Sequence, residues 1–453
     1  MLRRSRWLTT VALGAVSALA LAACGGGDDS GGGTAAAPTG GGGEQVEISF
    51  LTHWAPDQVA KLESVVDAYE QEHPNVSIEV RAVPFADLLT TLRSQAGSDN
   101  GPTMAGIYDL WLPELVRDGV VAEAPEAQAA EIQSEWPANL AAAASVDGKV
   151  YGFPNEVDLY ALNYNKKLFE EAGISEPPAT WDELVADAEK LTKRDGDRIT
   201  QQGFGLISSW AAGTVHPWTS LLYSNGGELI DEAGRPALDT PQALQTFELV
   251  ENLVGKAKVT DPAMSTADAN TTGPYLESFV SGKTAMIIMA NWWESALKAG
   301  MKEAFEDVAT APIPVGPSGD GPHPVSYSWM TVVNGKADDA EQQAAWDFLD
   351  YLNSPESGTD GASAIAELLQ SMGILPSRTS DLEAYADELD RPFLKGYTEQ
   401  LENAKPFPIV LGGQEFTEAL QKDLEALQAG QITAREAQER AQADAESVLG
   451  AAG

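Results

Sequence analysis

The chain has 453 residues, with 68 acidic against 28 basic side chains and a formal net charge of −40. Such an acidic surface keeps a protein soluble and works against general electrostatic binding of nucleic-acid backbone or anionic lipid. A single cysteine excludes any internal disulfide, so stability must come from apolar cores, and a body of about 400 residues exceeds what one core organises.

Arg3, Arg4 and Arg6 precede an apolar stretch at residues 7–21. A basic start, a short apolar core and small residues before a boundary mark an export signal, too short for an ordinary membrane span. The run Leu21-Ala22-Ala23-Cys24 resembles the lipobox of bacterial lipoproteins. That resemblance implies cleavage before Cys24 and diacylglycerol on its thiol; a plain secretory signal with an incidental cysteine is the alternative. Loss of residues 1–23 leaves 25 basic and 68 acidic side chains, a net charge of −43. Residues 25–43 are almost wholly Gly, Asp, Ser, Thr, Ala and Pro. Such a segment buries too little apolar surface to order itself, and as a flexible coil it spans roughly 25 Å. No later stretch is apolar for long enough to span a bilayer.

The body reads as α/β. Val46, Ile48 and Phe50 alternate as a strand, and Val59, Leu62, Val65, Val66 and Tyr69 form a helical stripe. Val76, Ile78 and Val80 alternate again, Leu88, Leu89 and Leu92 make a second stripe, and residues 105–108 a short strand. This order predicts parallel β-α-β units. Capping boxes are predicted at Thr180…Glu183, Asp338…Glu341 and Thr433…Glu436, and Thr240-Pro241 marks another helix start. Residues 416–449 read as helical, interrupted at Gly430.

A set of strings then occurs in order. Gly148-Lys149-Val150-Tyr151-Gly152-Phe153-Pro154 is followed by Leu162-Asn163-Tyr164-Asn165-Lys166-Lys167-Leu168-Phe169 and by Pro178-Ala179-Thr180-Trp181-Asp182-Glu183-Leu184. Next come Phe279-Val280-Ser281-Gly282-Lys283-Thr284-Ala285-Met286 with Asn291-Trp292-Trp293, then Ala311-Pro312-Ile313-Pro314, and Gly373-Ile374-Leu375-Pro376 before Arg378. Each string is weak alone; together they resemble the family 1 extracellular solute-binding proteins, the maltose-binding-protein-like capture subunits of carbohydrate ABC importers. The resemblance spans the whole mature body.

It implies a two-lobed periplasmic-binding-protein-like fold of type II, each lobe a mixed, mostly parallel sheet flanked by helices, joined by a hinge of several crossings. The expected organisation is a signal at 1–23, a lipidated tether at 24–44, a first lobe at 45–156 and 289–337, and a second at 157–288 and 338–453. Crossings are expected near residues 155–158, 288–291 and 334–338. The implied function is capture of a sugar in the cleft and delivery to permease subunits by hinge closure. No catalysis, cofactor or metal is implied. The implied state is a monomer held by lipid at the outer face of the cell membrane, or in the periplasm of a double-membraned cell.

Sugar recognition calls for flat amphipathic rings with a few carboxylates, amides or arginines. His53 and Trp54 end the first strand, and Asp109 ends the third, where ligands meet open α/β sheets; Asp109 also suits a helix cap. Glu156 is the expected hydroxyl acceptor at the first crossing, with Asp158 as a hinge partner. Trp218, in a loop that also holds Trp210, is a stacking platform or second-lobe core. Of the doubled tryptophans, Trp292 is favoured over Trp293, and Asn291 stands where the family has glycine. Tyr327 and Trp329 stand where many relatives have a glycine-rich run and imply a smaller or differently shaped cleft. Arg378 is a ligand donor or a salt-bridge partner.

Other chemistries fit less well. Gly282-Lys283-Thr284 lacks the upstream glycine of a phosphate loop. The four histidines show no zinc spacing, and no nucleophile elbow occurs. An exported glycoside hydrolase using Asp109 and Glu156 is the enzymatic alternative, and a sensing or adhesion lipoprotein of the same fold is the third reading.

Overall fold

The computed structural model describes residues 45–98, 101–231 and 233–452. The export signal, Cys24 and the tether lie outside the described residues. Strand β1 (Val46–Thr52) leads through the helix Pro56–Glu72 to β2 (Val76–Ala82), and from there through the helix Phe85–Gln95 to β3 (Met104–Tyr108). β1 pairs in parallel with both β2 and β3, as the alternating pattern predicts. The first helix buries Leu62, Val66 and Tyr69 of its stripe, and the second buries Leu88 and Leu92.

The chain continues into β4 (Gly152–Pro154) and, after Asn155 alone, into β5 (Glu156–Asn165). Then come β6 (Lys193–Asp195), β7 (Arg198–Gly205), β8 (Thr284–Ala290) and β9 (Val308–Ala311). β10 (Val325–Tyr327) and β11 (Trp329–Val333) are separated by Ser328, and β12 (Leu375–Pro376) and β13 (Lys405–Pro406) follow. The first of the two large sheets has the order β2-β1-β3-β11-β4; the second runs β13-β10-β5-β8-β7-β6, with β9 and β12 also paired to β5.

These two sheets are the two lobes. Both are mixed, and the second carries more antiparallel than parallel pairs, because β5 runs against β8, β9, β10 and β12. The chain changes sheet at three places. β4 passes to β5 at Asn155, β10 returns to β11 at Ser328, and β12 comes back to pair with β5. Asn155 falls within the 155–158 expected for a crossing; the other two changes are not at 288–291 or 334–338. Residues 308–311 and 325–327 pair with β5, so most of 289–337 lies in the second lobe rather than the first. Conversely, the helix Asp339–Asn353 packs Trp346, Phe348 and Leu349 against Ile48, Phe50 and Met104, in the first lobe rather than the second. Short strands took these segments where long-range pairing led, not where local pattern pointed.

The helix starts follow their chemistry. Thr180 Oγ1 accepts from Glu183 N while the Glu183 carboxylate accepts from Thr180 N. The same reciprocal bonds occur at Asp338/Glu341 and Thr433/Glu436, and Thr240 caps through Ala243 N. The final helices, Gly413–Gln428 and Ala434–Ala452, are split at Gly430, whose φ of 66° favours glycine. Among the described residues no helix is long and apolar enough to cross a membrane.

Candidate functional site

A cleft of about 480 Å³ opens between the two sheets. The first lobe contributes His53 and Trp54 from beyond β1, Phe85 from a helix start, Tyr108 from β3 and Trp329 from the start of β11. The rings pack on one another: His53 lies 4.4 Å and Phe85 6.0 Å from Trp329, centroid to centroid. The second lobe answers with Trp210, Trp292, Trp293 and Tyr327. Trp292 Nε1 donates to the Tyr327 hydroxyl at 2.6 Å, and its ring stands 4.2 Å from Trp293 and 5.8 Å from Trp210. Trp293 is buried and Trp292 half-buried, so both border the cleft and Trp292 is the more open.

The floor carries carboxylates. Glu156 and Asp158 line the cleft from β5, where residues two apart point to one face. Asp158 is 1 % exposed, and neither of its carboxylate oxygens has a hydrogen bond of proper geometry. Burial, with Asp158 alongside, holds the Glu156 carboxyl well above the usual range, and burial pushes Asp158 up to about 7. Burial also pushes His53 down to about 4, so its imidazole is neutral near pH 7. Asn291 Oδ1 accepts from Leu159 N at 2.7 Å, so this departure from the family's glycine braces β5 from the side.

The sequence profile of the bacterial extracellular solute-binding proteins matches residues 55–359, a span that takes in both faces of the cleft. The chain belongs to this family. Among relatives, a putative binding protein of Brucella abortus is 28% identical over 371 residues, which are 81% of this chain and 84% of that protein. The diacetylchitobiose binding protein DasA of Streptomyces coelicolor is 29% identical over 245 residues, 52% of each chain. The fold matches the GacH receptor of Streptomyces glaucescens with a TM-score of 0.76 at 23% identity, covering 90% of this chain and 99% of that one.

Not every residue singled out in the sequence reaches the cleft of this solute-binding protein. His53, Trp54, Glu156, Trp292, Tyr327 and Trp329 border it. Asp109, Trp218 and Arg378 do not. Asp109 is buried behind it, where Oδ2 accepts from Ser328 N at 2.7 Å and its own N–H donates to Ser328 O; Ser328 Oγ in turn donates to Glu156 O. Asp109 therefore holds a crossing strand. Burial, despite those backbone donors, pushes its carboxyl up to about 8. Trp218 lies on the helix Ala211–Tyr223, 3 % exposed and 4.5 Å from the Phe247 ring, in second-lobe core. Arg378 Nη1 donates to Glu131 and to Asn353 O, and its guanidinium lies 4.9 Å from the Trp136 ring. Of its two readings, the salt-bridge partner is the one this geometry matches.

Asn270, Thr271 and Thr272 also line the cleft, and the sequence reading passed them over. Asp268 organises them: its Oδ1 accepts from the N–H of both Asn270 and Thr272. Thr271 has φ 61°, and its carbonyl accepts from the Tyr275 hydroxyl at 2.7 Å. The local signal was an aspartate two residues before an asparagine, which favours an Asx turn.

Proposed function

We propose that this solute-binding protein captures a sugar, a monosaccharide or short oligosaccharide, between its lobes and delivers it to the transmembrane subunits of an ABC importer by hinge closure. The observation that carries this reading is the cleft: about 480 Å³, faced from both lobes by amphipathic rings, with carboxylates on its floor. Rings take the weakly apolar faces of a pyranose, and carboxylates and amides take its hydroxyls. Recognition rests on His53, Trp54, Glu156, Trp292, Tyr327 and Trp329, joined by Asp158, Trp210 and the 270–272 loop. The diacetylchitobiose-binding relative supports a carbohydrate over an amino acid. A thermal-shift screen over neutral and amine-bearing mono- and disaccharides should raise the Tm with at least one sugar, since the ligand binds the folded state alone. A flat response across the panel contradicts the reading.

The protein acts as a monomer outside the cytoplasm, held by diacylglycerol on Cys24 at the outer face of the membrane or within a periplasm. Cys24→Ser should move the protein from the membrane pellet to the soluble fraction; retention in the pellet contradicts the anchor.

Binding without turnover is the better fit to the carboxylates. A glycosidase sets its two carboxyls on either side of the scissile bond, whereas Glu156 and Asp158 stand side by side on one strand, and Asp109 is engaged with Ser328. Sugar hydrolysis abolished by Glu156→Gln would favour the enzymatic reading instead.

A further inference from the structure

The sugar-binding reading is the ground for a narrower one, which rests on it. Asp158 borders the cleft with both carboxylate oxygens buried. The Glu156 carboxyl, the Asn291 amide and the Tyr327 hydroxyl lie near enough to favour its charged form, but neither the amide nor the hydroxyl meets it with hydrogen-bond geometry. Glu156, beside it on the same strand, is 5 % exposed. Among the described residues neither makes an ion pair, and no lysine or arginine lines the cleft. Two other buried carboxylates are neutralised by the chain itself, Glu114 by Arg93 and Glu294 by Arg391 and Lys298. A buried carboxylate with no cation, and only another carboxyl beside it on its strand, is a costly arrangement until something completes it. Trp54, Trp210, Trp292 and Trp329 stand around the same space, and the faces of such rings attract cations.

We propose that the ligand is an amine-bearing sugar whose protonated amine sits against Glu156 and Asp158. An ammonium has three donors and no acceptor, so one group can serve both carboxylates while the sugar ring lies on the tryptophans. A neutral sugar can donate hydroxyls to the pair but leaves its charge uncompensated. The groups that bear on the pair are Asp109 beyond it, the phenols of Tyr108, Tyr160 and Tyr327, and the Asn291 amide; the imidazoles of His53, in the same cleft, and of His216, against Tyr108, are kept neutral by burial. None supplies a cation. With the pair partly protonated near neutrality, an arriving cation displaces protons from it.

The test is calorimetric titration of the full chain near pH 7.5 with three probes: chitobiose with free amines, N,N′-diacetylchitobiose and 1,4-diaminobutane. The free-amine sugar should bind about tenfold or more tightly than its acetylated twin and than the diamine, with proton release read from buffers of different ionisation enthalpy. The preference should fade in the wild type near pH 5.5, where Asp158 is protonated, and should collapse in Asp158→Asn. Equal or tighter binding of the acetylated sugar overturns the inference and leaves sugar capture standing. A diamine that binds as tightly as the free-amine sugar overturns it too, since the ring then contributes nothing. Binding of neither sugar also overturns it, and the thermal-shift screen then decides sugar capture separately.

Discussion

Trp292 gives its indole N–H to Tyr327, so what it offers a ligand is its ring face. Trp218 offers a ligand nothing: it lies against Phe247 in the second lobe. Trp218→Ala should cost about 3–5 kcal/mol of stability, the range for emptying a large aromatic from a core, while the folded fraction keeps its sugar affinity. Urea unfolding and calorimetry on one preparation separate the two effects; lost affinity at unchanged stability would place Trp218 at the ligand after all. The sequence could not separate these tryptophans, because the difference lies in where a helix begins. Pro217 makes 210–218 read as loop, since proline is disfavoured inside helices. The helix Ala211–Tyr223 nonetheless runs through it, and eight residues of helix carry Trp218 about 12 Å from Trp210. Arg378 was ambiguous for a similar reason, as its partner Glu131 is remote in sequence.

Between elements, the hinge is where β4–β5 and β10–β11 cross side by side, with Ser328 tied both to Asp109 and to the Glu156 carbonyl. Three carboxyls meet here with folded-state values raised by burial, Asp109 to about 8, Asp158 to about 7 and Glu156 well above its usual range. The unfolded chain ionises all three near pH 4. The folded state therefore holds more protons, and their contribution to stability falls as pH rises toward 8. His53 and His216 act in the opposite direction, but below about pH 6.5, where the unfolded chain takes up their protons. In the window from about pH 6.5 to 8 the three carboxyls should govern, so the ligand-free Tm should drop across it. Asp109→Asn keeps an acceptor for Ser328 N and should flatten that drop; an unchanged slope would contradict the assignment. The Asn155 crossing was expected from the family resemblance, whose string Gly152-Phe153-Pro154 ends just before it. The later crossings were not, because β9, β10 and β12 are two to four residues long and defined by pairing with β5 rather than by any pattern of their own.

Across the whole molecule, two lobes followed from length, and the helix caps and the parallel β1–β2–β3 unit followed from local chemistry. Which lobe owns each later segment depended on long-range pairing that periodicity does not encode. The lobes meet through Tyr108, whose hydroxyl lies 2.9 Å from His216 Nε2, and through Trp111 Nε1, which donates to Gln414 Oε1 at 3.1 Å. A sugar held by rings of both lobes favours a state in which the lobes close on it by its differential affinity, and that state is what a permease can distinguish from the empty receptor. The most direct measurement is calorimetric titration of a panel of neutral and amine-bearing mono- and disaccharides into the wild type and into Trp292→Ala. Saturable one-to-one binding of at least one sugar to the wild type is expected, weakened about tenfold or more in the variant, equivalent to about 1.4 kcal/mol. No heat with any sugar, or the same affinity in both proteins, would contradict it.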